Sequence, residues 1–167
     1  MSKAIQNLDI LYNNPFVLTP LIVTFYEKYE GKQQKDMFIA YLILPIVLYE
    51  YSKIILKTKK KELRTFINYI QKEDIKNNKI EIKRNDKLFG LPNRVDEFKE
   101  LTNLCLQYAF DTGSLRLNKD LSITFIKNDF KIDQSILEYI IAAQNLALLL
   151  KNEKTTHIYM RLGIKKL

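Results

Sequence analysis

The stretch "MFIAYLILPIVLY", Met37 to Tyr49, carries no charge and has a proline near its end. How it is used decides the fold. It is too short for a bilayer crossing, which takes about twenty apolar residues, and "GKQQKD" and "EYSK" flank it. No membrane is expected. The segment therefore either fills a core or forms a surface on which another protein sits. It is apolar on every side, and such a helix must be covered on every side. Pro45 interrupts its hydrogen-bond ladder, which predicts two pieces or a kink near residues 41–45. Helices are then expected from about Pro45 to Leu56 and from about Lys60 to Gln71. A central strand is disfavoured by the same proline.

The 167 residues favour one domain. Within it we read an apolar helical part (1–72), a charged loop (73–92), and a part with a helix, a hairpin and terminal helices (93–167). Hydrophobic residues are 47% of the chain, enough for a sizeable core. The formal charge is +8, from 27 Lys+Arg against 19 Asp+Glu, and most of the excess is Lys. That balance suits an acidic partner or a solvated surface equally. One cysteine, Cys105, and one histidine, His157, rule out an internal disulfide framework and a Cys/His zinc site. The polar start "MSKAIQNLDILYNNPF" does not read as a secretory signal, so a cytoplasmic protein is expected.

Asn13 and Asn14 before Pro15 form a helix start, since Asn caps and Pro suits the first turn. The helix should run to about Tyr29, with Pro20 predicting an early kink or a late start. "KEDIKNNKIEIKRNDK" reads as an exposed loop with "KIEIK" as a candidate short strand. After "GLPN", Asn93 is expected to cap a helix reaching about Phe110, with Leu101, Leu104, Cys105, Tyr108 and Ala109 as its buried stripe. The period then drops to two in "DTGSLRLNKDLSITFIKND". Leu115 and Leu117, then Leu121, Ile123 and Phe125, mark two arms of a hairpin turning at Asn118–Asp120. "SILEYIIAAQNLALLLKN" is the clearest helix, and "KTTHIYMRLGI" closes the chain with Thr155 or Thr156 as cap. The fold class is α+β, mostly α-helical: a helix bundle with one β-hairpin, winged-helix-like.

A catalytic constellation does not emerge. There is no phosphate-binding glycine loop and no histidine-based triad. Asp96, Glu97 and Glu100 sit at a helix start, where negative charge suits the dipole. We expect no enzyme activity, no cofactor and no metal. The densest positive patch is "KTKKKELR" with Lys57, Lys59, Lys60, Lys61 and Arg64. On a helix, Lys57, Lys60, Lys61 and Arg64 share one face, which could follow a phosphate backbone, meet an acidic protein or simply be solvated. The first two apolar segments carry more apolar area than a bundle of this length ordinarily needs, and exposed surplus means a partner.

Four stretches carry a resemblance. "NNPFVLTPLIVTFYEKYEG", "YLILPIVLYEYSKIIL", "FDTGSLRL" and "AAQNLALLLKNEKTTHIYMRLGIK" occur in the order seen in the middle component of three-component ABC ATPase systems. These are bacterial anti-phage operons that include Lamassu-type defence. Two positions depart from the pattern: Phe16 stands where a small residue is common, and no proline follows Leu162–Gly163. The resemblance implies a non-enzymatic adaptor seated on an SMC- or Rad50-like ATPase and linked to an effector, often a nuclease. It implies that DNA is engaged through the complex. It implies partner-binding surfaces at Asn14, Pro15 and Phe16, at Leu44, Pro45, Ile46 and Leu48, and at Leu162, Gly163 and Ile164. The competing reading is a free-standing winged-helix-like DNA-binding regulator, using the Lys57–Arg64 face and the 115–126 hairpin. A small enzyme is the third.

Overall fold

The computed structural model describes residues 13–29, 35–57, 62–67 and 90–165. The first helix, α1, spans Pro15–Lys28 and starts as its sequence requires. The Asn14 carboxamide oxygen accepts the Phe16 N–H at 2.9 Å, and Pro15 occupies the first turn, where its missing N–H costs nothing. Pro20 neither delays nor ends the helix. It lies early enough that only the Phe16 carbonyl loses its i+4 donor. From Leu18 to Tyr26 every residue of α1 is buried.

A 3₁₀ turn, Met37–Ile39, leads into α2, Ala40–Val47, and then α3, Glu50–Leu56. Pro45 lies inside α2, and the break falls after it, at Leu48–Tyr49. There the axes of Met37–Val47 and Glu50–Leu56 turn through 102°. The expected break at 41–45 is thus displaced by one turn. Leu48 N–H still bonds the Leu44 carbonyl at 2.9 Å, and the chain turns extended only at Tyr49 (φ −78°, ψ 119°). The carbonyl of Pro45, in the last turn of α2, accepts Arg94 Nε at 3.3 Å, and the guanidinium lies 3.8 Å over the Tyr49 ring. A cation at a helix C-terminus also suits the dipole. No single helix among the described residues is long and apolar enough to cross a membrane.

A short helical stretch covers 63–67 and buries Leu63, Phe66 and Ile67. The rest of the expected 60–71 helix, and the "KIEIK" strand, lie outside the described residues. The helix expected from Asn93 to Phe110 is two: α4, Leu91–Glu97, and α5, Lys99–Asp111, separated at Phe98. Gly90, not Asn93, is the residue before the first turn, because Pro92 already sits inside it. Asp96 and Glu97 consequently close α4, while Glu100 alone opens α5.

At the end of α5 the chain reverses through Gly113 (φ 66°). Gly113 N–H bonds the Phe110 carbonyl at 2.9 Å and Ser114 N–H bonds the Ala109 carbonyl at 2.9 Å. This paired closure needs a left-handed residue, and glycine adopts that conformation without a Cβ clash. The hairpin follows: β1, Leu115–Leu117, pairs antiparallel with β2, Ile123–Phe125, with Leu115 opposite Phe125. Asn118 and Asp120 lie in its loop, where the Asp120 carboxylate accepts the Ser122 N–H at 3.1 Å. A bridge between Asp36 and Ser122 adds the 35–37 segment to the free edge of β2. Ile123 N–H bonds the Lys35 carbonyl at 2.7 Å and Met37 N–H bonds the Leu121 carbonyl at 3.0 Å. Ile123 is buried under this edge, whereas Leu117 on the outer strand and Leu121 in the loop remain exposed.

The last elements are α6, Leu137–Leu150, entered through a 3₁₀ turn that Asp133 caps, and α7, Thr155–Leu162. Lys154, not a threonine, precedes α7, and Thr155 is its first helical residue. Helix α1 packs chiefly on α5 and α6, α2 is enclosed by α1, α4, α5 and α6, and α3 lies on α6. The architecture is a mostly α-helical α+β fold with one antiparallel hairpin.

Candidate partner-binding surface

The three clusters that the sequence marks for partner contact have different fates. Leu44, Pro45, Ile46 and Leu48 are interior: Leu44 has no exposure and Ile46 has 1%. The Met37–Tyr49 segment is therefore core over most of its length. Leu162 and Ile164 are also buried, and Gly163 (φ 75°) between them is a helix stop. Gly163 N–H bonds the Met160 carbonyl at 3.2 Å and Ile164 N–H bonds the Tyr159 carbonyl at 3.1 Å. This is the same closure as at Gly113, and it accounts for the Leu-Gly-Ile spelling on structural grounds alone.

The first cluster is different. Asn14 and Pro15 are half-buried and serve the helix start. The Pro15 carbonyl accepts Thr19 Oγ1 at 2.6 Å and the Cys105 thiol at 3.7 Å. Phe16 is 62% exposed. Its ring stands edge-on to Tyr108 of α5, with centroids 4.7 Å apart at 85°. Tyr108 in turn lies 6.1 Å from Phe130. One turn before Tyr108, Leu104 is 57% exposed. The sequence places Leu104 in the buried stripe of α5. In the fold Cys105 and Ala109 of that stripe are buried, together with Thr102 and Leu106, while Leu101 and Tyr108 are half-buried.

Beside Phe16 is a cavity of about 270 Å³, walled by Phe16, Val17 and Pro20 of α1 and by Lys131, Asp133, Ser135 and Ile136 across from them. Ile132, next to Lys131, is also exposed. Phe16, Leu104, Tyr108 and Phe130 thus gather an apolar, partly aromatic surface from three separate stretches of chain, beside a cavity whose far wall is charged and polar at Lys131, Asp133 and Ser135. Sequence pattern marks only Phe16 of this group.

The cationic cluster cannot be assembled from the described residues. Lys59, Lys60 and Lys61 lie outside them, and Arg64 is exposed. Lys57 donates to Glu138 Oε1 at 2.6 Å, and Lys53 also reaches Glu138, at 3.6 Å, and Glu50, at 2.8 Å. The Lys57 hydrogen bond holds the exposed Glu138 carboxyl below its ordinary range.

Among the described residues no group of His, Cys, Asp and Glu could hold a metal ion. His157 is exposed. Cys105 is fully buried, and burial pushes its thiol up to about 11, so it is neutral at ordinary pH and a poor nucleophile. Near the 35–37 edge a group of phenols holds the chain in place. Tyr26 donates to the Asp36 carbonyl at 2.9 Å and Tyr159 of α7 to the Phe38 carbonyl at 2.7 Å. Burial, with Asp36 nearby, raises both phenols. These contacts position the turn into α2.

No curated protein and no solved structure matches the chain. The family model described as "ABC-three component (ABC-3C) system Middle Component 3" matches residues 2–166, and the chain belongs to that family.

Proposed function

We propose that this chain is the non-enzymatic adaptor of its three-component system. It links an SMC- or Rad50-like ABC ATPase to an effector, often a nuclease, in anti-phage defence of the Lamassu type. The observation that carries the reading is the apolar surface around Phe16, where two large side chains, Phe16 and Leu104, stand mostly in solvent beside a cavity. Exposed apolar patches of this kind mark protein contacts.

The order of elements also supports a winged-helix-like arrangement. A helix, an edge strand at 35–37, further helices and a hairpin follow one another, and the edge strand pairs with β2. In such a module the helix before the hairpin would face DNA. Here that helix, α5, turns Glu100, Leu104, Gln107 and Asp111 outward. Lys99, also exposed, is the one cation on the solvent side of this helix, against Glu100 and Asp111, a balance poorly suited to phosphates. The arrangement therefore serves a protein contact better than a free-standing regulator, and DNA is met through the complex.

The test is co-expression of the chain with the ATPase component of its own system. Leu104→Asp alters a side chain that is already exposed and should leave the helical circular dichroism intact. Loss of the copurified ATPase, with duplex-DNA binding by the isolated chain weak throughout, is the expected result. Full retention of the ATPase by the variant would remove this surface from the assembly.

A further inference from the structure

Helix α7 is short and firmly held. Its Ile158 and Leu162 are buried, the Tyr159 hydroxyl donates to the Phe38 carbonyl at 2.7 Å, and Ile164 is buried just past the turn at Gly163. The other side faces water. Lys154, His157 and Arg161 recur at three- and four-residue steps and share one line of that side. Met160 lies opposite Ile158 and Leu162 on the helix and is 69% exposed, more than Phe16. From 151 to 165 the cations are Lys151, Lys154, Arg161 and Lys165, against the single carboxylate of Glu153. Glu153 is engaged with Arg161 at 3.3 Å. Asp36, the carboxylate near Tyr159, caps the Phe38 N–H at 2.9 Å. Lys151, Lys154 and Lys165 form no ion pair among the described residues, whereas Lys53 and Lys57 on α3 are both paired.

We propose that this face of α7 docks an acidic stretch of the effector component, with an apolar side chain of that stretch seated on Met160. The proposal rests on the adaptor reading, because a chain that links two components needs two separate contact surfaces. Phe16 opens α1, and its cavity reaches Ile136, just before α6. Helix α7 begins past the other end of α6. There Tyr159 and Tyr26, from the last turns of α1, both bond the 36–38 segment. Since α6 has 14 residues, Phe16 and α7 are about 20 Å apart along it. One partner can therefore cover Phe16 while another covers α7. The sign of the charge selects the occupant. A second copy of this face would bring lysine against lysine, whereas carboxylates complement the unpaired cations. The flexible, polarisable thioether of Met160 suits an apolar anchor between those carboxylates. A phosphate backbone would meet the cations and leave Met160 uncovered.

The experiment titrates the full chain against the purified ATPase and effector components of its own system. Wild type is compared with the double variant Lys154→Glu/Lys165→Glu, with Met160→Asp and with Leu104→Asp. All four substituted side chains are exposed, and circular dichroism establishes that each variant is folded. The two α7 variants should weaken effector binding about tenfold and leave ATPase binding within about twofold. Leu104→Asp should do the reverse. High salt should shrink the loss in the lysine double variant more than in Met160→Asp. Effector affinity indifferent to both α7 variants would overturn the proposal and leave the adaptor reading standing. Loss of the ATPase in place of the effector would overturn it as well, by assigning the face to the ATPase. Wild type that binds neither component would overturn both readings together. Duplex DNA bound by the isolated chain and released by Lys154→Glu/Lys165→Glu would assign the face to nucleic acid and end the proposal.

Discussion

Truncating Phe16 to alanine separates a contact residue from a structural one. The ring is 62% exposed in the isolated chain. An aromatic side chain offers roughly 200 Å², so about 120 Å² of it remains for a partner to cover. At ~25 cal/mol per Å² that area is worth ~3 kcal/mol, or roughly a 150-fold change in Kd. Alanine keeps its Cβ, so about 30-fold is a fair lower bound. The loss to the chain itself is smaller. It consists of the covered part of the ring and the edge-on contact with Tyr108, together about 1–2 kcal/mol.

The assay is calorimetric titration of the ATPase component with wild-type and Phe16→Ala chains, beside urea unfolding of each. Titration is carried out where both chains are fully folded, so the two effects are read separately. Phe16→Leu should fall between the two, since it keeps apolar area but loses the ring. A Kd within about threefold of wild type would refute the reasoning, because the exposed area is then never covered. So would a binding loss of at most ~1 kcal/mol that merely tracks the folding loss.

Arg94→Lys retains the charge but removes the planar group that both bonds the Pro45 carbonyl and lies over Tyr49. It should lower unfolding free energy by about 1–2 kcal/mol in urea, and an unchanged midpoint would show that the α2–α3 corner holds without it. Stability should also fall in alkali. Burial raises the Cys105 thiol from 9.0 to about 11 and the Tyr29 phenol from 10.0 to about 12. Both groups ionise more easily once the chain unfolds. Their contribution is therefore complete below pH ~9 and is lost as pH rises through the folded values. Urea midpoints across this range should decline, with Cys105→Ala reducing the first part of the decline. A flat profile would contradict the burial of both groups.

What the sequence reveals is what local chemistry decides. The start of α1 is legible because Asn14 and Pro15 act within one turn. The hairpin is legible because Leu115, Ile123 and Phe125 alternate, and the last helices because their apolar periodicity is continuous. The α2–α3 corner is not legible. Pro45 announces a break somewhere, but Arg94, forty-nine residues on, helps hold it at Leu48–Tyr49. The separation of α4 from α5 at Phe98 carries no glycine or proline to mark it. The Asp36–Ser122 bridge joins stretches too far apart for any pattern to connect. The candidate surface divides in the same way. Phe16 stands out beside a helix start, while Leu104 sits at a spacing that fits a buried stripe as well as an exposed one. Only the crossing of α1 over α5 at Thr19 and Cys105 shows which side of α5 is covered.

The corner also explains how so apolar a segment is accommodated. A straight helix from Met37 to Leu56 would be about 30 Å long. Its first half is apolar on all sides, while its second half has only one apolar face, so the two require different surroundings. The 102° turn provides both. The α2 half stays enclosed by α1, α4, α5 and α6, while α3 swings onto α6 and buries Ile55 and Leu56 there. The carboxamide of Asn145 on α6 then closes the end of α3 by donating to the Leu56 carbonyl at 2.8 Å. Because α3 covers only one flank of α6, Leu137, Ile141 and Leu148 next to that flank stay exposed. The apolar surplus in the sequence is thus satisfied internally at Leu44–Leu48 and remains exposed at Phe16 and along α6. Substitutions at Leu44–Leu48 should act through stability, and substitution of Phe16 through assembly.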